Sequence, residues 1–196
     1  EMISFYKMVD NSTIVWVNQP EPRGFGHAVL MAKPFVGNES FMVCAGDTYI
    51  VSSSNTFIKR MIDIHLESNV DATILLQEVC NPRQYGVAVA EKVGTYLCRI
   101  LRVIEKPKIP PSNLAIMPFY IFSPAIMDIL KDLGPGVGGE IQLTDAIQKL
   151  IDERREVRGV LLESNELRLD IGTPETYWEA IKTSYEYWSK GVIRYA

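Results

Sequence analysis

Two aspartates stand at the ends of short apolar segments, where ligands of an α/β protein are commonly bound. Asp47 follows residues 41–45 and Gly46, and Asp170 precedes Gly172. Carboxylate oxygens suit Mg²⁺, and nucleotide-bound Mg²⁺ typically takes only one or two protein carboxylates besides phosphate oxygens. The two acids therefore predict a magnesium site, and the alternative is a pair of unrelated aspartates that cap turns.

Further charged residues flank irregular segments that can hold them in place. Glu105 and Lys106 end an apolar segment and precede Pro107, which limits where the two side chains point. Lys106 can bind a phosphate as a point charge, and Glu105 can accept hydroxyl protons from a sugar. An exposed, solvated pair is the alternative. Glu140 follows the glycine cluster of residues 134–139 and either accepts a hydroxyl or stabilises the start of the next helix.

Residues 19–27, QPEPRGFGH, form a loop that is stiff at its prolines and flexible at its glycines. The side-chain amide of Gln19 can pair with the edge of a nucleobase. Gly24 and Gly26 begin a G-x-G pattern, but Val29 occupies the place of the third glycine. The loop therefore does not predict a dinucleotide site.

Strand-like and helix-like segments alternate along the chain and would position these residues. Strands are predicted at residues 14–17, 41–45, 72–79, 86–90, 97–104, 114–122 and 157–162. Helices are predicted at 27–33 before Pro34, from a cap at Asn55 or Ser54 through residue 65, from Ser123 to Gly134, at 143–151 and after Thr173. This alternation predicts one α/β domain, residues 1–196, with a largely parallel sheet.

Charge and hydropathy exclude several classes of protein. The formal charge of −4 gives no general attraction for nucleic acid or an anionic membrane. The longest apolar stretch, residues 114–122, is shorter than the ~18 to 20 residues of a membrane-spanning helix. No signal peptide is recognised at the N-terminus, so the cytoplasm is expected. Aromatic and apolar residues near the C-terminus can pack on the domain or form a homo-oligomer: Tyr185, Tyr187, Trp188, Ile193 and Tyr195.

The cysteines and histidines do not predict a metal centre or a disulfide framework. Cys44, Cys80 and Cys98 are widely spaced, without a C-x-x-C pair, and are expected to be buried thiols in a reducing compartment. His27 and His65 stand on predicted helix faces and have no ligand partner at metal-binding spacing. We therefore assign them no chemistry.

Seven segments, in this order, resemble the sugar-phosphate nucleotidyltransferases, most closely the glucose-1-phosphate uridylyltransferases (UDP-glucose pyrophosphorylases) and then the thymidylyltransferases. They are residues 19–37 (QPEPRGFGHAVLMAKPFVG), 45–49 (AGDTY), 84–87 (QYGV), 103–108 (VIEKPK), 112–117 (SNLAIM), 139–147 (GEIQLTDAI) and 169–175 (LDIGTPE). The resemblance implies a Rossmann-like nucleotide-diphospho-sugar transferase fold. It also implies a reaction in which UTP or dTTP and glucose 1-phosphate give a nucleotide-sugar and pyrophosphate.

The resemblance implies roles for eight residues: nucleobase contacts from Gln19 and Gly24, Mg²⁺ ligands Asp47 and Asp170, and sugar or sugar-phosphate contacts from Gly86, Glu105, Lys106 and Glu140. Of these, Lys106 and the two aspartates would act in catalysis. Positioning and charge neutralisation supply most of the catalysis in such phosphoryl chemistry, which suits two acids, a metal and a lysine.

The sequence also departs from the family pattern. The family's opening strand and its G-x-G-T-R loop are not found here, and residues 1–17 resemble the stretch just before the Gln19 loop. We therefore expect a domain that is incomplete at its N-terminus. Pro118 stands where the family has glycine.

Two other functions are open at this point. One is a non-catalytic sugar-nucleotide-binding or regulatory subunit that has lost the triphosphate loop. The other is a metal-dependent glycosyltransferase, whose usual Asp-x-Asp pattern is not met because Tyr49 follows Asp47 and Thr48.

Overall fold

The computed structural model describes residues 2–52, 55–68 and 70–191. The helices are α1 (Met2–Asp10), α2 (Phe25–Leu30), α3 (Lys33–Val36), α4 (Thr56–Ser68), α5 (Ala125–Asp132), α6 (Leu143–Asp152) and α7 (Pro174–Ser189). The strands are β1 (Phe41–Cys44), β2 (Thr48–Val51), β3 (Ala72–Glu78), β4 (Gly86–Lys92), β5 (Leu97–Glu105), β6 (Leu114–Phe122), β7 (Val157–Leu161) and β8 (Leu167–Asp170).

Six strands form the main sheet in the order β1-β6-β3-β7-β5-β4, with one further contact between β6 and β4. The α/β fold with a mixed sheet is thus confirmed. The expected predominance of parallel pairing needs correction: β5 and β6 run against the other four strands, so β3–β7 is the parallel ladder among the described strands. The apolar runs gave no information on this point, because buried strands have similar composition in either direction.

Strand β6 supplies side chains to two hydrophobic cores, one on each face of the sheet. Ile116, Tyr120 and Phe122 face the core shared with α2, α5 and α6, and Met117 and Phe119 face the core shared with α4. This division follows from the two-residue period of a strand. Burial on both faces explains why residues 114–122 are apolar almost throughout.

Pro118 lies inside β6 at an irregularity of the sheet. The pairing between β3 and β6 shifts so that Ile74 is opposite Tyr120 while Leu75 is opposite Met117. A bulge of this kind tolerates a proline, which has no N–H for a ladder hydrogen bond. The Pro118 carbonyl instead accepts a hydrogen bond from Ala45 N–H at 3.0 Å, which joins the end of β1 to the bulge.

A separate two-stranded sheet, β2 and β8, was not predicted from the sequence. The two strands are antiparallel, with Thr48 opposite Asp170 at one end and Val51 opposite Leu167 at the other. Each has only four residues. This small ladder brings together parts of the chain that are far apart in sequence.

The strand predicted at residues 14–17 is wrong. These residues have no strand partner among the described residues, and Trp16 is 92% exposed. The preceding helix α1 also buries none of its residues. A β-forming composition becomes a strand only when a second strand supplies hydrogen bonds and a face to pack against.

Several predictions about helix ends need correction. Pro34 begins α3 in its first turn instead of ending the helix before it. Ser123 gives its hydroxyl proton to Asp71 Oδ1 at 3.1 Å and does not cap α5. Asn55 directly precedes α4 with a φ of 52°, so its role as the cap stays a prediction, and the alternative cap, Ser54, lies outside the described residues.

Two other expectations concern thiols and surface aromatics. Cys98 is buried as predicted, whereas Cys44 and Cys80 are exposed because they lie where β1 and β3 leave the core; all three thiols are free. On α7, Tyr185 and Trp188 are exposed, and the predicted cluster's Ile193 and Tyr195 lie outside the described residues. Among the described helices, none is long and apolar enough to cross a membrane.

Candidate active site

A cleft of about 440 Å³ opens beside β6, between the end of β1, the start of β4 and the β2–β8 ladder. Six of the eight predicted site residues line it: Asp47, Gly86, Glu105, Lys106, Glu140 and Asp170. These residues come from strand ends and loops, so the fold brings together side chains up to 123 positions apart in sequence. Gln19 and Gly24 are not among the lining residues.

The β2–β8 ladder brings the two aspartates together. Asp170 ends β8 opposite Thr48, the residue after Asp47, and Ile171 N–H donates to the Asp47 carbonyl at 2.9 Å. A methyl group at Gly172 would lie 3.2 Å from Asp170 Oδ1 and 3.6 Å from Asp47 Oδ2. Both carboxylates therefore face one point, and glycine leaves that point open.

Asp170 is held by hydrogen bonds on both carboxylate oxygens. Oδ1 accepts from Gly172 N–H at 2.9 Å and from the Thr176 hydroxyl at 3.2 Å, while Oδ2 accepts from Arg168 Nη1 at 2.8 Å. Burial alone would raise the pKa of Asp170, but these hydrogen bonds and the Arg168 charge outweigh burial and lower it. Asp170 is therefore an anion over the physiological pH range.

The donor set fits a Mg²⁺ ion that brings its own phosphate ligands. The described residues contain no group of three or more His, Cys, Asp or Glu side chains arranged to hold a metal. Two hard carboxylates at one point are too few for a closed site, but they match the one or two that nucleotide-bound Mg²⁺ uses. Asp47 and Asp170 are the residues that would hold it.

The opposite wall of the cleft is built on the β4–β5 ladder. Gly86 is paired with Glu105, and Glu105 Oε2 accepts a 2.6 Å hydrogen bond from the Thr144 hydroxyl in the first turn of α6. A methyl group at Gly86 would lie 2.8 Å from Thr144 Oγ1 and 3.1 Å from Glu105 Oε2. Glycine therefore opens space directly in front of a fixed carboxylate and hydroxyl, both of which can bind sugar hydroxyls.

Tyr120 lines the cleft beside Glu105 and Thr144. Its ring is stacked on Phe122, with the ring centroids 5.5 Å apart, and it is almost completely buried. Burial, with a smaller contribution from the Glu105 charge, raises the pKa of the Tyr120 phenol far above its ordinary range. The hydroxyl therefore stays protonated and adds a neutral polar group to a largely acidic cleft.

Lys106 reaches into the cleft from a strained turn. Its φ of 38° lies in the left-handed region, which side-chain-bearing residues rarely adopt. The hydrogen bond from Lys106 N–H to the Tyr85 carbonyl at 3.1 Å holds this conformation. Lys106 Nζ lies 3.8 Å from Glu105 Oε1, and its side chain is 54% exposed, so the ammonium is available to an anion.

Gln19 and Gly24 lie together at one side of the cleft. Gln19 Nε2 donates to the Gly24 carbonyl at 3.1 Å and lies 2.9 Å from His27 Nδ1, so its amide protons hold the loop's own residues. Gly24 has a φ of 99°, and a methyl group there would lie 2.7 Å from Glu140 Cβ. Gly24 thus packs against a lining residue without lining the cleft itself.

Glu140 is positioned from the other direction by Gln142, whose Nε2 donates to Glu140 Oε2 at 3.1 Å and to the Val137 carbonyl at 3.0 Å. The Gln142 side-chain amide therefore joins two residues of the loop before α6, Val137 and Glu140. The other Glu140 oxygen has no hydrogen-bond partner among the described residues and can accept one within the cleft.

The residues of the cleft that sequence reasoning missed include Tyr85, Thr144 and Arg168. Arg168 Nη2 donates to the Tyr85 hydroxyl at 2.7 Å, and its guanidinium carbon lies 5.1 Å from the centre of the Tyr85 ring. A usable signal did exist, since Arg168 and Asp170 are two apart on a strand and must share a face. Thr144 gave a similar signal, as a polar residue on the apolar face of α6.

Residues 6–186 match the family described as Nucleotidyl transferase, which is more than half of the chain. The chain belongs to this nucleotidyl transferase family. A UTP–glucose-1-phosphate uridylyltransferase of Staphylococcus epidermidis is 38% identical over 182 residues, which cover 91% of this chain and 60% of that protein. A glucose-1-phosphate thymidylyltransferase of Streptomyces antibioticus is 33% identical over 150 residues, covering 76% of this chain and 40% of that protein.

A solved UDP-glucose pyrophosphorylase, complexed with UDP-glucose, has the same nucleotidyl transferase fold. Its TM-score is 0.88 at 29% sequence identity, over 94% of this chain and 70% of that one. The predicted sugar-nucleotidyltransferase resemblance is thereby confirmed. The chain spans only 40 to 60% of the length of the two relatives named above.

Proposed function

We propose that this chain is the nucleotidyl-transferring part of a UTP–glucose-1-phosphate uridylyltransferase, which makes UDP-glucose and pyrophosphate. The observation that carries the proposal is the cleft itself: a pair of aspartates facing one point lies opposite a Glu105–Thr144 wall opened by Gly86. One side suits a metal-bound phosphate chain and the other suits a sugar. The named uridylyltransferase relative supports the same substrates.

In the proposed reaction, an oxygen of glucose 1-phosphate attacks the α-phosphorus of UTP. A new phosphorus–oxygen bond forms, the bond from the α-phosphorus to the oxygen leading to the β-phosphate breaks, and pyrophosphate leaves with its negative charge. A bound Mg²⁺ would supply charge neutralisation at the phosphate oxygens. The protein's own part is to hold the two anions close together and aligned.

Lys106 is assigned to the phosphate of the sugar. Its ammonium is exposed beside Glu105, so one end of glucose 1-phosphate meets a cation while hydroxyls of the ring meet a carboxylate. The strained backbone at Lys106 supports this assignment, since such conformations concentrate at functional sites. Lys106, Asp47 and Asp170 are the proposed catalytic residues.

Gln19 and Gly24 are assigned to the nucleobase side of the cleft. Gln19 would contact the base directly, whereas Gly24 would have a supporting role. Gln19 uses its amide protons within the loop, which leaves its carbonyl oxygen for the base N–H. Gly24 supports Glu140 by letting the two backbones approach closely. We propose UTP and not dTTP as the nucleotide substrate, because the uridylyltransferase relative is more similar to this chain and is matched over more of its length.

The remaining assignments concern the whole chain. We treat residues 1–196 as one nucleotidyltransferase domain, because both sheets contribute to one cleft. The cytoplasm is the proposed compartment, supported by three free thiols in place of disulfides. Nucleic acid and membrane are not proposed as partners, and a homo-oligomer is left to measurement of the solution mass.

Pyrophosphate release tests the proposal directly. The assay contains Mg²⁺ and glucose 1-phosphate with UTP, dTTP, ATP or GTP, and compares this chain with the complete product of its gene. Turnover that is fastest with UTP supports the proposal, and a preference for dTTP replaces it with a thymidylyltransferase. Silence in both proteins, despite measured binding of UDP-glucose, overturns it in favour of a non-catalytic binding subunit.

A further inference from the structure

Arg168 is a cation beside one carboxylate of the proposed metal site, Asp170. Its guanidinium donates to Asp170 Oδ2 at 2.8 Å and to the Tyr85 hydroxyl at 2.7 Å, and its side chain is only 14% exposed. It lines the same cleft as the two aspartates. The sequence resemblance assigned no role to this residue.

The position of Arg168 conflicts with metal binding at Asp170. Oδ1 faces the point that it shares with Asp47 Oδ2, but it already accepts two hydrogen bonds, from Gly172 and Thr176, so Oδ2 is the less occupied oxygen for a metal. That oxygen faces a guanidinium, and a second cation beside it is repelled at short range. Arg168 and a divalent cation therefore compete for Oδ2, because the positive charge of each weakens the interaction of the other with that oxygen.

We propose that Arg168 and the divalent cation exchange at Asp170 Oδ2, and that the displaced guanidinium then binds a phosphate of the substrate. The inference rests on the proposed function, because it concerns the same metal site. Without metal, Arg168 neutralises Asp170 and holds it in place. With metal bound, the Arg168 guanidinium leaves the carboxylate and pairs with the incoming phosphate chain.

Tyr85 supplies the pivot for this exchange. Its hydroxyl accepts from Arg168 Nη2, and its ring lies 5.1 Å from the guanidinium carbon, so Arg168 keeps a second anchor after leaving Asp170. The Tyr85 carbonyl also accepts the Lys106 N–H. One tyrosine therefore holds both cleft cations on the same wall. A planar guanidinium that retains a hydrogen bond and a stacked ring is well suited to bidentate contact with a phosphate.

The half-buried Arg60 of α4 shows what a purely structural arginine looks like in this protein. Arg60 donates to two carboxylates, Glu163 and Glu166, and also lies over the Tyr96 ring. Arg168 has one carboxylate partner and faces a cleft. The difference leaves Arg168 with a guanidinium edge that can meet an anionic ligand.

Binding measurements without turnover test the exchange. Mn²⁺ affinity is measured by electron paramagnetic resonance, and pyrophosphate affinity by calorimetry in saturating Mn²⁺. The proteins are the wild type, Arg168→Gln, Arg168→Lys and the remote control Arg99→Gln, all as complete gene products. Circular dichroism melting accompanies each variant, so that a loss of fold is recognised.

Removing the competing cation should strengthen metal binding and weaken phosphate binding. Arg168→Gln is expected to bind Mn²⁺ about three to ten times more tightly and pyrophosphate about ten times more weakly. Arg168→Lys keeps the charge and loses the bidentate fork, so its Mn²⁺ affinity stays near the wild-type value while pyrophosphate binding weakens. Arg99→Gln should match the wild type in both measurements.

Three results overturn the proposal, and they are distinguishable. If the wild type binds Mn²⁺ but Arg168→Gln binds it equally or more weakly, with unfolding unchanged, the exchange is wrong and the metal site stands. If Arg168→Gln does not fold, an Arg168→Lys variant with weakened Mn²⁺ binding also shows that the exchange is wrong. If the wild type binds no Mn²⁺ even with pyrophosphate, the metal site of the proposed function is wrong and the exchange falls with it.

Discussion

The two ends of the β2–β8 ladder each carry an arginine–carboxylate pair, but they use it differently. At one end Asp170 pairs with Arg168 and faces the cleft, with 32% of its side chain exposed. At the other end Glu166, the residue before β8, pairs with Arg60 and has 2% of its side chain exposed. The Arg168–Asp170 pair is therefore open to the cleft, whereas the carboxylate of the Arg60–Glu166 pair is enclosed.

The number of hydrogen bonds to each carboxylate explains the difference. A carboxylate has about four acceptor positions. Glu166 uses them all, since Oε1 accepts from Ser52 at 2.7 Å and Thr56 at 3.1 Å while Oε2 accepts from Arg60 and from Glu163 N–H at 2.9 Å. Asp170 accepts three hydrogen bonds and borders open space. Glu166, whose acceptor positions are all used, stabilises its end of the β2–β8 ladder. Asp170 keeps an acceptor position that a ligand or metal can use.

The largest expected effect comes from an acid at the open end. Asp47→Asn should lower kcat in the complete gene product by about 1,000-fold, because losing a metal-ligand charge removes several kcal/mol of charge stabilisation. Among the described residues, its carboxylate accepts a single long contact, 3.5 Å from the Thr48 hydroxyl, so thermal unfolding should not change. Pyrophosphate release and calorimetry measure the two quantities, with the exposed Asp128→Asn as control. Unchanged activity would contradict the metal assignment.

The enclosed end should show the reverse pattern. Glu166→Gln is expected to lower the free energy of unfolding by about 2 kcal/mol, because it removes the charge that Arg60 faces. Once folded, the variant should keep kcat within about twofold, since Glu166 does not line the cleft of Asp47 and Asp170. Urea unfolding and initial rates check this. If Glu166→Gln has normal stability but has lost activity, the two ends of the β2–β8 ladder do not differ in role as proposed.

A smaller effect is expected across the cleft from the open end. Gly86→Ala would place a methyl group against Thr144 and Glu105, so KM for glucose 1-phosphate should rise by about tenfold while KM for UTP changes little. Gly46→Ala is the matched control, because a methyl group there meets no atom within 4 Å. Steady-state kinetics of both variants decide the point, and equal rises in both KM values would contradict the assignment of this wall to the sugar.

The smallest expected effect is a change in acid stability. Burial would raise the pKa of Glu166, but the hydrogen bonds from Glu163, Ser52 and Arg60, with the Arg60 charge, outweigh it and lower the pKa. The unfolded chain then binds more protons than the folded one just below the ordinary glutamate range, so stability falls as the pH falls through the folded pKa. Unfolding between about pH 6 and pH 3 should therefore be less pH-dependent in Glu166→Gln. Parallel curves for the two proteins would show that Glu166 contributes no such component.

Much of this site could be anticipated from local chemistry. Asp47 and Asp170 were identified because each ends an apolar segment, and Glu105 and Lys106 because a proline follows them. All four line the cleft. Their assigned roles stay predictions, since the structure places the residues without testing what they do.

What could not be anticipated depends on contacts between distant segments. The four-residue strands β2 and β8 are too short for a periodic signal, and each exists because the other pairs with it. For the same reason the β-forming residues 14–17, without a described partner, are exposed coil. Arg168 was overlooked because its importance lies in Tyr85, which is 83 positions away in the sequence.

The capping box of α7 links the start of that helix to Asp170. Thr173 and Thr176 cap each other's backbone N–H groups, and the Thr176 hydroxyl also donates to Asp170 Oδ1 at 3.2 Å. A ligand that withdraws electron density from Asp170 weakens this third contact and so alters the first turn of α7. Thermodynamic linkage is reciprocal. Any molecule whose binding to α7 depends on the state of this first turn would therefore be coupled to the carboxylate at the cleft.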